Sequence, residues 1–202
     1  MNALISFLLT LMATAIWGAM HSLLAAPRAK QWVRHRIGPS SDRAYRLFYN
    51  VTAVVTLLPV LAIADRFPGA TLYQVPPPWV FVTTAIQVLA LLIIGLTLLQ
   101  TGASSFLGLR QLFGAGEPER AQLQVSGFYR WVRHPLYTAG LVFIWLSPIV
   151  TTATLALNLA FTLYIVIGSR FEELQLAAEF GQPYLEYRRK VPSIIPRPWR
   201  SY

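Results

Sequence analysis

Four stretches of this chain contain no Asp, Glu, Lys or Arg: residues 3–25, 47–64, 79–100 and 136–168. A helix rising ~1.5 Å per residue crosses a hydrocarbon layer of ~30 Å in about 20 residues, so each run has the length and the apolarity of a membrane span. Hydrophobic residues make up 55% of 202 positions and charged residues 12%, far more apolar surface than one small water-soluble core can hide. The chain therefore reads as an all-α integral membrane protein.

The formal charge of +9 is confined to short segments between the apolar runs. Cations placed there orient a membrane protein, so nucleic acid is not expected as a partner. The absence of cysteine excludes disulfides, thiol nucleophiles and cysteine-ligated metals. The three histidines, His21, His35 and His134, lack the i,i+4 spacing of a helical zinc site, and no protein metal centre is expected.

In chain order, residues 3–25 form the first span, uncleaved because no basic segment precedes the small residues Ala13-Thr14-Ala15. His21 lies near its far end and reads equally as a substrate-side residue or as an interfacial histidine. The connector from Pro27 to Arg46 carries six cations against Asp42. Trp32, Val33 and Ile37 predict a short interfacial helix in it that ends at Gly38-Pro39. Residues 47–64 form the second span and tolerate Pro59 within a bundle. Asp65 to Gly69 is a turn, and Pro76-Pro77-Pro78 leads stiffly into the third span, whose Gln87 and Gln100 read as helix-to-helix hydrogen bonders. The polar connection 101–127 includes an apolar part, Phe106 to Phe113, suited to a membrane surface.

Residues 136–168 comprise 33 positions interrupted by Ser147-Pro148 and Thr151-Thr152. One helix needs fewer residues and two need slightly more, so length does not decide. Charge does, because a tight helical hairpin leaves 16 of the 17 Lys and Arg on one side, with only Arg66 opposite. The expectation is five transmembrane helices, N-terminus outside and C-terminus cytoplasmic, the last two forming the hairpin. Residues 1–101 would be a three-helix part and 102–202 the part that carries a site.

Chemistry concentrates at the two ends of that hairpin. Residues 127–140, GFYRWVRHPLYTAG, set Arg130, Arg133 and His134 at an apolar border, and Glu172-Glu173 stand at the end of the last helix. Cations and backbone donors suit a carboxylate, the acid pair suits an ammonium or ribose hydroxyls, and Tyr129, Tyr137 and Tyr184 suit a flat base. A zwitterionic nucleoside matches this inventory better than a phosphate-rich one. The residues fit equally a simpler account in which the arginines meet lipid headgroups and the acids neutralise them.

The run Gly127 to Gly140, followed by Glu172-Glu173-Leu174, Phe180-Gly181, Tyr184, Tyr187 and Val191-Pro192 through Pro196, resembles the C-terminal half of the isoprenylcysteine carboxyl methyltransferase and phospholipid methyltransferase superfamily. His21-Ser22-Leu23-Leu24-Ala25 and Tyr45-Arg46-Leu47-Phe48-Tyr49-Asn50 resemble its NnrU-like bacterial branch, which is similar to membrane methanethiol S-methyltransferases. The resemblance implies a multi-pass protein of the bacterial inner membrane that binds S-adenosylmethionine at the cytoplasmic face and methylates a lipophilic or small-thiol acceptor. It implies a cofactor pocket with Tyr129, Arg133, His134, Pro135, Tyr137 and Gly140 on one wall and Glu172, Glu173 and Tyr184 on the other. Isoprenylcysteine enzymes place an Arg four residues before the first Glu, where this chain has Gly168. Arg170 then stands as the carboxylate clamp, Glu173 as the nearest candidate base and His21 as a more remote one on the substrate side.

Two other readings accompany it. Membrane NADPH-dependent sterol reductases carry a similar Arg-His-Pro-x-Tyr segment but usually continue with Gly-Glu, whereas Tyr137 here precedes Thr138-Ala139-Gly140. A non-enzymatic accessory or transport role fits the NnrU-like resemblance as well.

Overall fold

The computed structural model describes residues 2–102 and 122–197. The surface segment expected at residues 106–113 lies outside them. The elements are α1 (Ala3–Ala25), α2 (Pro27–Ile37), α3 (Ser41–Arg66), β1 (Thr71–Gln74), α4 (Trp79–Gln100), a 3-10 turn (Gly127–Arg130), α5 (Pro135–Trp145), β2 (Ile149–Thr151), α6 (Thr152–Phe180) and α7 (Gln182–Lys190). Four of them, α1, α3, α4 and α6, are long and apolar enough to cross a membrane. Large side chains such as Met12, Val54, Phe81 and Leu163 are more than half exposed on these helices, which water would penalise and lipid would not.

The sequence places a fourth span at the start of the 136–168 run, but α5 has only 11 residues, about 16 Å, and does not cross a membrane alone. Two short strands also interrupt the expected all-helical chain. By its internal contacts the structure divides into two compact units, residues 2–74 with 149–160, and residues 75–101 and 122–148 with 161–197; the division falls within α6.

In the first unit, α1 packs on α3 through a seam of small residues. Ser6, Thr10, Thr14 and Gly18 recur every fourth position and are buried, a spacing that keeps them on one face and lets backbones approach. Thr14 returns its hydroxyl proton to the Thr10 carbonyl at 2.7 Å. Trp17 closes the seam by donating its indole N–H to the Ala53 carbonyl at 3.0 Å, and the Tyr45 hydroxyl donates to the Leu24 carbonyl at 2.7 Å. The basic connector forms α2, which stops at Gly38 with φ +104°, a backbone angle that favours glycine. The ladder is antiparallel, with Tyr73 opposite Val150 and Gln74 opposite Ile149. Gly69, at φ +74°, lies so close to Thr152 that a Cβ would stand 2.1 Å from its Oγ1.

In the second unit, α4 and α5 meet through Ala90 and Ala139, both nearly fully buried. Gln87 donates to the Phe143 carbonyl at 2.8 Å, and Gln100 donates to the Ser126 carbonyl at 2.8 Å. Each amide thus satisfies a carbonyl freed by a turn or helix end, as expected for lone polar groups in apolar surroundings. Gly127 takes φ +61° directly under Gln100, where a Cβ would fall 2.2 Å from the amide nitrogen. Gly181, at φ +59°, ends α6, and Pro183 sits in the first turn of α7. Tyr184, Tyr187 and Val191 then bury themselves against Leu123, Val125, Leu176, Ala177 and Phe180.

Candidate functional site

The second unit gathers its ionisable groups where α5 begins and α6 approaches its end. Pro135 occupies the first turn of α5, so the chain before it must be extended, and His134 takes φ −125° just outside the helix. The backbone N–H groups of Arg133 and His134 are therefore available, and they donate to the carbonyls of Pro192 (2.9 Å) and Ser193 (3.1 Å). Thr138 extends the seam by donating its hydroxyl to the Ile194 carbonyl at 2.6 Å. The segment after α7 is thereby tied along the entry to α5.

Glu173 is the hub of this arrangement. Its Oε1 accepts from Arg133 Nε at 3.0 Å, Arg133 Nη2 at 2.5 Å and the Ser193 hydroxyl at 2.9 Å, with His134 Nε2 at 3.2 Å. Its Oε2 lies 3.4 Å from Arg188 Nε. Side-chain exposures of 9% for Arg133 and 8% for Glu173 make this a buried ion pair. Arg133 is fully engaged, because its Nη1 donates to the carbonyls of Arg188 and Val191. A buried charge persists only when paired and hydrogen-bonded, and both conditions are met on each side.

Glu172, one residue earlier, behaves differently. A single helix step turns it by about 100°, and its side chain remains 46% exposed. Its Oε2 accepts from the Tyr137 hydroxyl at 3.0 Å and lies 3.5 Å from His134 Nδ1. Its Oε1 makes no hydrogen bond or ion pair among the described residues. His134 thus lies between the two carboxylates and stacks on the Tyr137 ring at 5.3 Å.

The remaining sequence-predicted residues divide. Tyr129 is half-buried; its carbonyl accepts from the Tyr187 hydroxyl at 2.7 Å, and burial, then the charge of Glu172, push its phenol up to about 12. Tyr184 is fully buried, and its phenol is pushed up to about 12 by burial and then by Glu173. Among the described residues its hydroxyl makes no hydrogen bond of ordinary geometry. Among the described residues, nothing beyond the neighbouring helix backbone lies within 4 Å of a Cβ built on Gly140 or Gly168. Arg170 is exposed and is not brought into the cluster: two residues from Glu172 on one helix, it points about 160° away from it. His21 belongs to the first unit, where its Nε2 lies 2.8 Å from the Tyr49 hydroxyl and its ring meets that of Trp17 at 5.0 Å.

Sequence reasoning missed Ser193, Arg188 and the carbonyls of residues 188 and 191–194. Backbone acceptors have no side-chain signature. The only available signal was the proline-punctuated tail after Val191, whose Pro192 and Pro196 prevent a helix from continuing there.

The donor set was tested against a cofactor carrying an ammonium and ribose hydroxyls. A half-exposed carboxylate with one oxygen open, next to a Tyr–His stack and two glycines uncrowded among the described residues, fits such a group. Among the described residues, no cluster of three or more His, Cys, Asp or Glu side chains could hold a metal ion.

Comparison with known proteins adds lineage. The family described as NnrU protein matches residues 8–190. The chain is 31% identical over 200 residues to the methanethiol S-methyltransferase of Mycobacterium tuberculosis, covering 94% of this chain and 78% of that protein. It is 29% identical over 192 residues to the methanethiol S-methyltransferase of Crocosphaera subtropica, covering 90% and 71%. A protein-S-isoprenylcysteine O-methyltransferase of Xenopus laevis is 38% identical over 81 residues, 37% of this chain and 27% of that one. No solved structure matches.

Proposed function

The chain belongs to the NnrU protein family, and from that premise we propose that it is an integral-membrane methyltransferase that uses S-adenosylmethionine and methylates a small thiol or another lipophilic acceptor. The activity for which its methanethiol S-methyltransferase relatives are named supports the thiol. The observation that carries the reading is the unequal carboxylate pair: Glu173 is fully committed inside the protein, while Glu172 keeps an oxygen open beside Tyr137 and His134.

When bound, S-adenosylmethionine supplies a methyl group already activated by its positive sulfur. The residues of the chain bind and orient. Glu172 accepts the ammonium, Tyr137 holds the Glu172 carboxylate in place, and the His134–Tyr137 stack offers a flat wall. Pro135, Gly140, Tyr129 and Tyr184 complete the surroundings of the pocket. Arg133 is a positioning residue, because both ends of its guanidinium are engaged within the protein. Glu173 is assigned the same role rather than that of a base, since its Oε1 already accepts more donors than it has lone pairs. The thiolate is the attacking species, so a thiol acceptor gives up its proton to water before the methyl group moves. Arg170 and His21 stay outside this assignment.

Charge asymmetry supports a cytoplasmic site in the bacterial inner membrane, with residues 102–202 as the cofactor-binding part. A fifth crossing is proposed as α5 continued through the turn at Leu146 and on to Thr151. The three extended residues of β2 add about 10 Å to the helix, and pairing of β2 with β1 satisfies part of the backbone there.

The test uses purified protein in detergent. S-adenosylmethionine or its demethylated product should raise the unfolding temperature while NADPH does not, and labelled S-adenosylmethionine should transfer its methyl to methanethiol. Stabilisation by NADPH alone would replace the reading with a reductase; absence of any labelled product across thiols and a total lipid extract would replace it with an accessory role.

A further inference from the structure

On the face of α5 turned away from Tyr137 and Glu172, the second unit has an apolar groove that is open along one side. Leu89 and Ile93 of α4 form one wall, Ala139 and Val142 of α5 the other. Its lining has a single hydroxyl, that of Thr138, already committed to the carbonyls of His134 and Ile194, so the groove is dry. The bond from Gln87 to the Phe143 carbonyl ties α4 to α5 next to Val142, at one end of the groove. Trp131 and Pro196 form the opposite end, the mouth.

The mouth adjoins a basic bowl. Pro196 of the groove is followed by Arg197 of the bowl, and Val132 of the groove by Arg133 of the bowl, whose other cations are Arg188, Arg189 and Lys190. No acid lines it. Arg133 and Arg188 serve Glu173, whereas Arg189 and Arg197 are exposed and make no hydrogen bond or ion pair among the described residues.

We infer that the groove and the bowl together form a binding site for one anionic phospholipid, with its phosphodiester between Arg189 and Arg197 and one acyl chain between α4 and α5. Charge complementarity selects the occupant: Arg189 and Arg197, the bowl's exposed cations beyond the Glu173 cluster, with no acid in the lining among the described residues, attract a phosphodiester of net negative charge and repel a choline headgroup. Continuity of the mouth with the bowl sets the direction, tail toward the Gln87 end and headgroup toward Arg197. The site occupies a different face of α5 from Glu172 and is independent of the methyltransferase reading.

The full chain, purified in detergent, is titrated with long-chain phosphatidylglycerol, long-chain phosphatidylcholine, glycerophosphoglycerol and inorganic phosphate, with binding read by native mass spectrometry. Phosphatidylglycerol should bind at least tenfold more tightly than phosphatidylcholine. The double variant Arg189→Ala/Arg197→Ala should abolish that preference. Ile93→Trp, which fills the groove, should weaken phosphatidylglycerol at least tenfold and leave the two water-soluble anions unchanged. If Ile93→Trp folds poorly by circular dichroism, Val142→Trp fills the same groove from α5. Equal binding of the two lipids, phosphate binding as tight as phosphatidylglycerol, or groove-filled variants that bind phosphatidylglycerol as the parent does would each overturn the inference.

Discussion

Replacing Glu173 by Gln removes the charge that compensates Arg133, and the structure sets the size of the effect. The pair is buried on both sides, with exposures of 9% and 8%, and the carboxylate accepts from Arg133, His134 and Ser193. Breaking one partner of a buried pair costs about 3–5 kcal/mol, because the surviving guanidinium remains out of water without its counter-charge. At roughly 2–4 °C per kcal/mol for a chain of this length, the unfolding temperature should fall by roughly 6–20 °C. Glu172→Gln provides the contrast. Its side chain is half-exposed and loses only the charge beneath one tyrosine hydrogen bond, so the fold should change by about 1 kcal/mol or less while stabilisation by S-adenosylmethionine disappears. Thermal unfolding in detergent, with and without S-adenosylmethionine, measures both. If Glu173→Gln melts with the parent protein, or if Glu172→Gln is the less stable of the two, the division of labour between the carboxylates is wrong.

Three further outcomes test separate parts of the structure. Gly127→Ala should cost about 2 kcal/mol, about 1 for the left-handed backbone and about 1 for displacing Gln100 from the Ser126 carbonyl. Gln100→Ala, which removes the amide and leaves the backbone of residue 127 alone, should cost only the second part, and an unfolding temperature that stays with the parent would refute the Gln100 contact. Trp17→Phe should lose about 0.6–1 kcal/mol with its bond to Ala53; an unchanged unfolding temperature would remove that bond from the α1–α3 seam. The phenols of Tyr129 and Tyr184 are pushed up to about 12 from an ordinary 10 in the folded protein. Their contribution to stability is fully present below pH ~10 and is lost as pH rises toward about 12, because the unfolded chain releases those protons first. Phenolate absorbance should show these two tyrosines, with Tyr187, whose phenol burial raises as well, ionising late and together with unfolding.

Much of this architecture is legible from residues alone, where one physical signal dominates. The limits of α1 and α4 coincide with apolar runs plain in the sequence, the entry to α4 being marked by Pro76-Pro77-Pro78. Helix α3 begins at Ser41, six residues before its apolar run, since Arg43 and Arg46 are good helix formers and hydrophobicity does not register them. The α5 arm is misjudged in length, because the ladder between residues 71–74 and 149–151 depends on partners far apart in sequence. Arg133, His134, Glu172 and Glu173 stand out as charges at an apolar border, and the fold brings them together. Which glutamate is buried follows from a single helix step and from Ser193, and neither is visible before the chain is folded.

The pairing of Arg133, His134 and Thr138 with the carbonyls of residues 192–194 also has a consequence in time. Every apolar helix is complete by residue 180, yet the acceptors that position Arg133 and His134 emerge from the ribosome only after residue 190. Insertion into the membrane and assembly of the site are therefore separate events. A chain halted between those points would settle in the bilayer with its helices intact and its two carboxylates unsorted.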